Sequence, residues 1–388
     1  MKERMFSASN IFIFLCVFLP ILSSYLSPIP GVDFGTFLVL VFTPYMLCAG
    51  KWKFHLPLLL VVVLIYTFFC TIYALLGTEF FSTPTSIVTR TGRFLFLIII
   101  LIGRGIPSFY EENKFIRFLG KVSIIVAAYA IIQYIAYYFT GIRLPNIFFS
   151  AAKPKPTMFV DIIAEYRPAS FLLEPSHASY YLTPYLCCTL FKKELKKEKN
   201  NMLKSFLITL GILCTTSGQG LIIVAICWGI WLFREFKSFN FRRIIVIAVF
   251  GVLLLLNFDF SYTINRMTTT EELNAVDGRM GGYNLISKMD VSELIIGKGF
   301  GNYDETVFYA SYADIIFCTG FIGLILVVLM FLSFFIKGDF FKRVLILCFL
   351  VLMGGSGIYS ATFICFFFPL FVSKKQGKCI KILKKSDL

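Results

Sequence analysis

The segment RPASFLLEPSHASYYL, which begins at Arg167, sets an arginine, a glutamate and one of the chain's two histidines at the mouth of an apolar run. Such groups are costly beside hydrocarbon, so their grouping asks for a use. Pro175 suits the first turn of a helix with Glu174 at or near its N-cap. Glu174 and His177, three residues apart, then share a face at the positive end of that helix. That end favours an ionised carboxylate and a neutral imidazole, and a neutral imidazole can accept a proton. Arg167 can fold over the same mouth and offer a forked, permanently charged donor set suited to phosphate or pyrophosphate. One reading is an anion clamp beside a proton acceptor; the other is an arginine–glutamate pair that anchors a loop, with a histidine that is only hydrogen-bonded.

Other arginines have the same two-sided character. TRTGR carries Arg90 and Arg93 at the expected outer start of a span, where snorkelling to lipid headgroups and binding of a ligand phosphate are both open. In the polar stretch 258–311, Thr270 followed by Glu271 and Glu272 reads as a helix start, and Asp277 as the cap of a second short helix carrying Arg279 and Tyr283. GKGFGN, further along that stretch, follows no strand and fails the full GxGxxG spacing, so it is not read as a phosphate loop.

The elements that must position these groups are legible in the composition. The 388 residues are 58% hydrophobic and 15% charged, with a mean hydropathy of +0.80. Soluble domains carry nearer a quarter charged residues, so the expectation is an all-α polytopic integral membrane protein. The runs predict spans near 11–27, 36–49, 56–76, 91–103, 122–140, 176–191, 205–214, 219–233, 244–257, 312–336, 344–354 and 358–372, about twelve in all and ten at the fewest. The many later spans favour a retained first helix over a cleaved leader. The whole chain reads as a single transmembrane domain, with outer loops at 141–175 and 258–311.

The formal charge of +15 is spread over connections between apolar runs, which fits a positive-inside topology and not a nucleic-acid surface. With both termini in the cytoplasm, the inner segments hold 27 of the 37 Lys and Arg residues. Runs 205–233 and 344–372 are each 29 residues long and are interrupted by TTSGQG and GGSG, so each is read as a hairpin of two short spans. Single crossings would leave 24 cations inside, a weaker bias in the same direction. Ten of the eleven cysteines lie inside apolar runs, and Cys379 lies in the basic tail. No disulfide framework or metal spacing is visible, and adjacent Cys187 and Cys188 are read as span packing.

Three pieces of this sequence resemble the O-antigen polymerase and ligase group of membrane glycan-transfer enzymes, with the polymerase branch, Wzy, the closer match. RPASFLLEPSHASYYL is similar to the group's pattern of Arg, small residue and Glu-Pro-Ser; LCTTSGQGLIIV is similar to its Ser-Gly hairpin. GRMGGYNLI, IIGKGFGNY and FCTGFIGLIL are similar to its large outer loop running into a glycine-bearing span. The ligase branch usually has an arginine directly after the hairpin serine, where this chain has Gly218 and Gln219. It also usually has a histidine near the end of the large loop, where this chain reads FYASYADII.

The resemblance implies transfer of a growing glycan from an undecaprenyl-pyrophosphate carrier to a sugar hydroxyl of another lipid-linked repeat unit, at the periplasmic face of a bacterial inner membrane. Lipopolysaccharide O-antigen or a capsular polysaccharide would be the product, and a separate chain-length regulator protein and membrane lipid would be partners. On that footing His177 is the expected base and Glu174 its orienting group, with Arg167 and Arg279 on the departing phosphate. Arg90, Arg93, Arg143, Arg266, Tyr283, Ser217 and Gln219 make up the expected substrate-binding set. No cofactor is expected, and with no Asp-rich cluster of metal-ligand spacing in the outer loops the reaction is expected to be metal-independent. An O-antigen ligase and a lipid-linked oligosaccharide flippase are the alternatives; a flippase would need ionisable groups through a mid-membrane cavity, whereas here they gather on the outer side.

Overall fold

The computed structural model describes residues 7–29, 31–50, 52–77, 80–148, 166–196, 200–237, 275–303, 307–355, 357 and 359–372. The regular elements of these residues are all helices, with no strand among them beyond one isolated bridge between Leu26 and Asp33. The order is α1 (Ala8–Leu22), α2 (Phe34–Cys48), α3 (Leu58–Leu76), α4 (Pro84–Leu97), a π-helical stretch (Ile98–Gly105), α5 (Ile106–Phe109) and α6 (Glu112–Thr140). Then come α7 (Pro175–Phe191), α8 (Lys193–Lys196), α9 (Asn201–Cys214), α10 (Gly218–Lys237), α11 (Ala275–Ile286) and α12 (Val291–Ile296). The last are α13 (Ser311–Lys337), α14 (Phe340–Met353) and α15 (Ala361–Phe371).

Among the described residues, five segments, Leu58–Leu76, Pro84–Phe109, Glu112–Thr140, Gly218–Phe236 and Ser311–Lys337, are long and apolar enough to cross a membrane, and four shorter apolar helices accompany them. Large apolar side chains face outwards, as Leu58, Ile65 and Leu76 do on α3 at 78%, 64% and 81% exposure. A face of that kind suits lipid and not water. The expected span 244–257 lies outside the described residues.

Two boundaries differ most from the sequence reading. The fourth span begins at Pro84 and not near residue 91, because Thr83 Oγ1 accepts the Ser86 amide at 3.2 Å and the proline takes the first helical position. Arg90 and Arg93 therefore lie well inside α4. The fifth begins at Glu112, so α6 carries its helix through the polar segment that reads as a cytoplasmic connection.

Both interrupted runs fold back on themselves. In the first, Thr216 takes a left-handed φ of 50°, and beyond it Trp228 stacks on Phe206 with ring centroids 5.4 Å apart. Trp228 Nε1 also donates to Thr209 Oγ1 at 2.9 Å. In the second, Phe349 packs against Phe367 at 4.9 Å, and Lys342 Nζ at the far end donates to the Val372 carbonyl at 2.6 Å. With Ile212 against Gly220 near the first turn and Phe206 against Trp228 farther from it, and with Phe349 against Phe367 and Lys342 against Val372 in the second, α9–α10 and α14–α15 are antiparallel pairs.

The GKGFGN motif is a backbone clasp. Within α13, Gly320 adopts φ 65° and ψ −173°, a break that leaves the carbonyls of Phe317 and Cys318 without their helical partners. The amides of Lys298 and Gly299 fill those places at 2.7 and 3.1 Å. Gly299, at φ 100°, lies so close to α3 that a Cβ there would stand 2.1 Å from the Cβ of Ala74. Only glycine satisfies both the angle and the approach.

α12, which leads into this clasp, opens on a capping box: Asp290 Oδ1 accepts from the Glu293 amide at 2.8 Å and from Ser292 Oγ at 2.7 Å, and Glu293 Oε2 accepts from the Asp290 amide at 3.1 Å. The Glu293 N–H foremost, then the Ser292 hydroxyl, holds the Asp290 carboxyl below the ordinary carboxylate range. A pKa lower in the folded state stabilises the helix above the unfolded value, and the contribution disappears as pH falls through the folded value. Hydrogen exchange across α12, corrected for intrinsic rate, is expected to quicken on such acidification in the wild type. Asp290→Asn, which caps without titrating, is expected to show no such step.

Candidate active site

α7 begins where its sequence says it should, with Glu174 in extended backbone (φ −129°, ψ 148°) and Pro175 at the first helical position. Glu174 makes no side-chain cap; its carboxylate instead accepts from Ser176 Oγ at 3.1 Å. His177 Nε2 stands 4.0 Å from Glu174 Oε2, and the two side chains are 31% and 55% exposed, so both remain accessible at the helix mouth. One side of the imidazole rests on aromatic rings, with Phe363 at 5.4 Å and Tyr180 at 6.0 Å between centroids.

The floor under this pair is supplied by the α9–α10 turn. Tyr180, fully buried, donates its hydroxyl to Gln219 Oε1, and Ser179 and Thr215 hydroxyls meet at 2.9 Å. Arg167 reaches the same turn, with Nε donating to Thr216 Oγ1 at 3.1 Å and a terminal nitrogen to the Thr216 carbonyl at 2.9 Å. The left-handed Thr216 is what turns that carbonyl towards the arginine. Ser217 is buried and its Oγ accepts the Gly220 amide at 3.4 Å, a start-of-helix contact for α10.

The opposite wall comes from α4 and the start of α15. Arg93 donates to Thr362 Oγ1 at 3.0 Å, and Thr362 precedes the Phe363 that packs on His177. Arg93 also forms a 2.6 Å ion pair with Asp33, which is completely buried and caps α2 through the Thr36 amide. Loss of either partner would leave a buried charge or cap unmet. Arg93 therefore braces α2, α4 and α15 together beside the mouth while keeping part of its surface exposed.

The remaining residues are placed elsewhere or in part. Arg90 turns towards the clasp, donating to Ser82 Oγ at 2.8 Å and the Gly301 carbonyl at 2.7 Å, with its guanidinium 4.0 Å from the Tyr303 ring. Arg143 lies 5.8 Å over Tyr137 and near enough to Tyr166 to oppose the rise of that phenol, which burial pushes up to about 12. Tyr283 on α11 is half-buried, and burial raises its phenol as well. α11 includes Asp277, which therefore lies within the helix instead of capping it. For Arg279, also on α11, the backbone alone is described; Arg266 and the expected helix start at Thr270 lie outside the described residues.

The mouth thus gathers His177, Glu174, Arg167 and Arg93 over a floor of Tyr180, Gln219 and Ser217. Sequence reasoning missed Tyr180, Thr216, Asp33 and Phe363. Tyr180 follows His177 by three residues, so helical spacing could have revealed it; the others are brought in by chain reversal alone. A concavity lined by Tyr66, Asp314, Cys318, Thr319 and Tyr359, and by none of the mouth residues, lies between α3 and α13, where Asp314 accepts from the Cys318 thiol at 3.3 Å. Compared with known proteins, the chain matches no family model, no curated protein and no solved structure.

Proposed function

We propose that the chain polymerises undecaprenyl-pyrophosphate-linked oligosaccharide repeat units at the outer face of a bacterial cytoplasmic membrane. The observation that carries this reading is the junction at the start of α7, where a part-exposed imidazole and an exposed carboxylate meet Arg167, held by the α9–α10 turn, and Arg93, held by the cap of α2. The resemblance of RPASFLLEPSHASYYL and TTSGQG to the polymerase group bears on the same place, because those two motifs are the ones that meet there through Arg167 and Thr216.

In this mechanism His177 accepts the proton of the acceptor sugar hydroxyl as its oxygen attacks the anomeric carbon, and Glu174 orients the imidazole and stabilises its charged form. The bond from that carbon to the carrier phosphate breaks, and the pyrophosphate leaves with the electron pair. Cations at the lipid boundary stabilise it, with Arg167, Arg93 and Arg279 as the nearest in the scheme. About twelve spans, cytoplasmic termini and a periplasm-facing mouth complete the proposal, with O-antigen or capsule as product and a chain-length regulator as partner.

Deleting the gene and resolving surface glycans on a gel tests the proposal. A single repeat unit on the lipid core, restored to a ladder by the wild-type chain, supports polymerisation. No added repeat at all points to a ligase or flippase, and an unchanged ladder removes the proposal. Arg279→Ala is expected to lower chain growth by roughly 10²–10³ if it donates to the departing phosphate. Normal chain lengths from a well-expressed variant would reduce it to a loop anchor. Activity in a chelator of divalent ions is expected to be full.

A further inference from the structure

Three helices that pack against one another, α7, α10 and α14, each contribute a completely buried cysteine to one point: Cys187, Cys227 and Cys348. Their Sγ atoms form a triangle with edges of 3.7 Å (Cys187 to Cys227), 3.7 Å (Cys227 to Cys348) and 4.0 Å (Cys187 to Cys348). The thiols meet one another, whereas a cysteine that serves only as a small apolar filler has no reason to find two others. The centre of the triangle lies about 2.2 Å from each sulfur, close to a metal–thiolate bond of roughly 2.3 Å.

The geometry points to a binding site for a soft monovalent d¹⁰ cation, Cu(I), held by Cys187, Cys227 and Cys348. Sulfur-only donors select soft ions over the hard oxygen-seeking ones. Zinc in protein sites is almost always four-coordinate. Here three sulfurs make a closed set, and among the described residues no fourth Cys, His, Asp or Glu joins them. The coordinating sulfurs are thiolates. Three S–H bonds break on binding, three Cu–S bonds form, the three protons leave to solvent, and copper keeps its oxidation state.

The site is separate from the candidate active site. Cys187 follows His177 by ten residues on the same helix, a distance of roughly 15 Å along the axis. A bound ion would tie α7 to α10 and α14 beneath the mouth, so the inference stands whether or not the proposed polymerase activity does.

The test uses full-length protein in detergent micelles with exposed Cys48 and tail residue Cys379 replaced by serine, reduced and kept anaerobic. Cu(I) is titrated in competition with bicinchoninate. The expected result is a single Cu(I) retained per chain, with an X-ray absorption spectrum fitted by three sulfurs. Cys348→Ala is expected to weaken retention by roughly 100-fold or more. Cys188→Ala, which removes the adjacent buried thiol outside the triangle, is expected to leave it unchanged. Failure of the folded protein to retain Cu(I), a spectrum that needs oxygen or nitrogen ligands, or equal retention by Cys348→Ala would each overturn the site. The spectrum is recorded on protein with the triad intact, so it decides the question even where a triad variant does not fold.

Discussion

Replacing His177 with alanine is expected to lower chain growth by roughly 10²–10⁴, the range lost when a positioned proton acceptor is removed. The helix itself should be unaffected, because alanine is at least as good a helix former and the imidazole is part-exposed, resting on only two rings. Protein level in the membrane and helix content are therefore expected to match wild type. Glu174→Gln separates the two roles: an orienting carboxylate costs less than the base it orients, so its loss should be the smaller of the two. A larger loss for Glu174→Gln than for His177→Ala would make the carboxylate the base. Wild-type rates for both would leave the start of α7 without a catalytic part.

The second large effect concerns the clasp. Gly299→Ala places a Cβ 2.1 Å from Ala74 Cβ and 2.9 Å from the Cys70 carbonyl at a φ of 100°. The backbone angle costs about 1–2 kcal/mol for a residue with a side chain, and the overlap about 1–3 kcal/mol more. Together these should lower the midpoint of thermal unfolding in detergent by several degrees, roughly as expected for a chain of this size. Ala74→Gly in the same chain removes the overlap with the Ala74 side chain and leaves the backbone cost, so the double variant is expected to regain part of the loss. Equal stability of Gly299→Ala and wild type would mean that residues 297–301 do not enter the kink at Gly320.

Local signals were legible in the sequence and long-range ones were not. The start of α7 could be read from Pro175 alone, and the position of Glu174 relative to His177 follows from helical spacing. The break at TTSGQG marked the α9–α10 turn because two glycines and a serine interrupt an apolar run. The start of α4 was not read, because Thr83 and Pro84 sit in a polar stretch where a cap and a loop look alike. Arg93 illustrates the deeper limit: its type and position near the outer face suggested lipid or phosphate, while its partner Asp33 is sixty residues away in the chain and belongs to another helix's cap. The glycines of GKGFGN could be recognised as demanding a special backbone but not as meeting α3 and α13. The cysteine triangle is spread over more than 160 residues, and no spacing rule joins its members.

Whether the mouth of α7 joins lipid-linked glycans, as proposed, is read from reconstitution. Purified chain in proteoliposomes would be supplied with an undecaprenyl-pyrophosphate-linked repeat unit, and both the glycan and the freed carrier would be followed. A ladder of products growing by whole repeats is expected, with one undecaprenyl pyrophosphate released per linkage and both signals lost in His177→Ala. Recovery of the repeat unit unextended, or its movement across the bilayer without linkage, would contradict it.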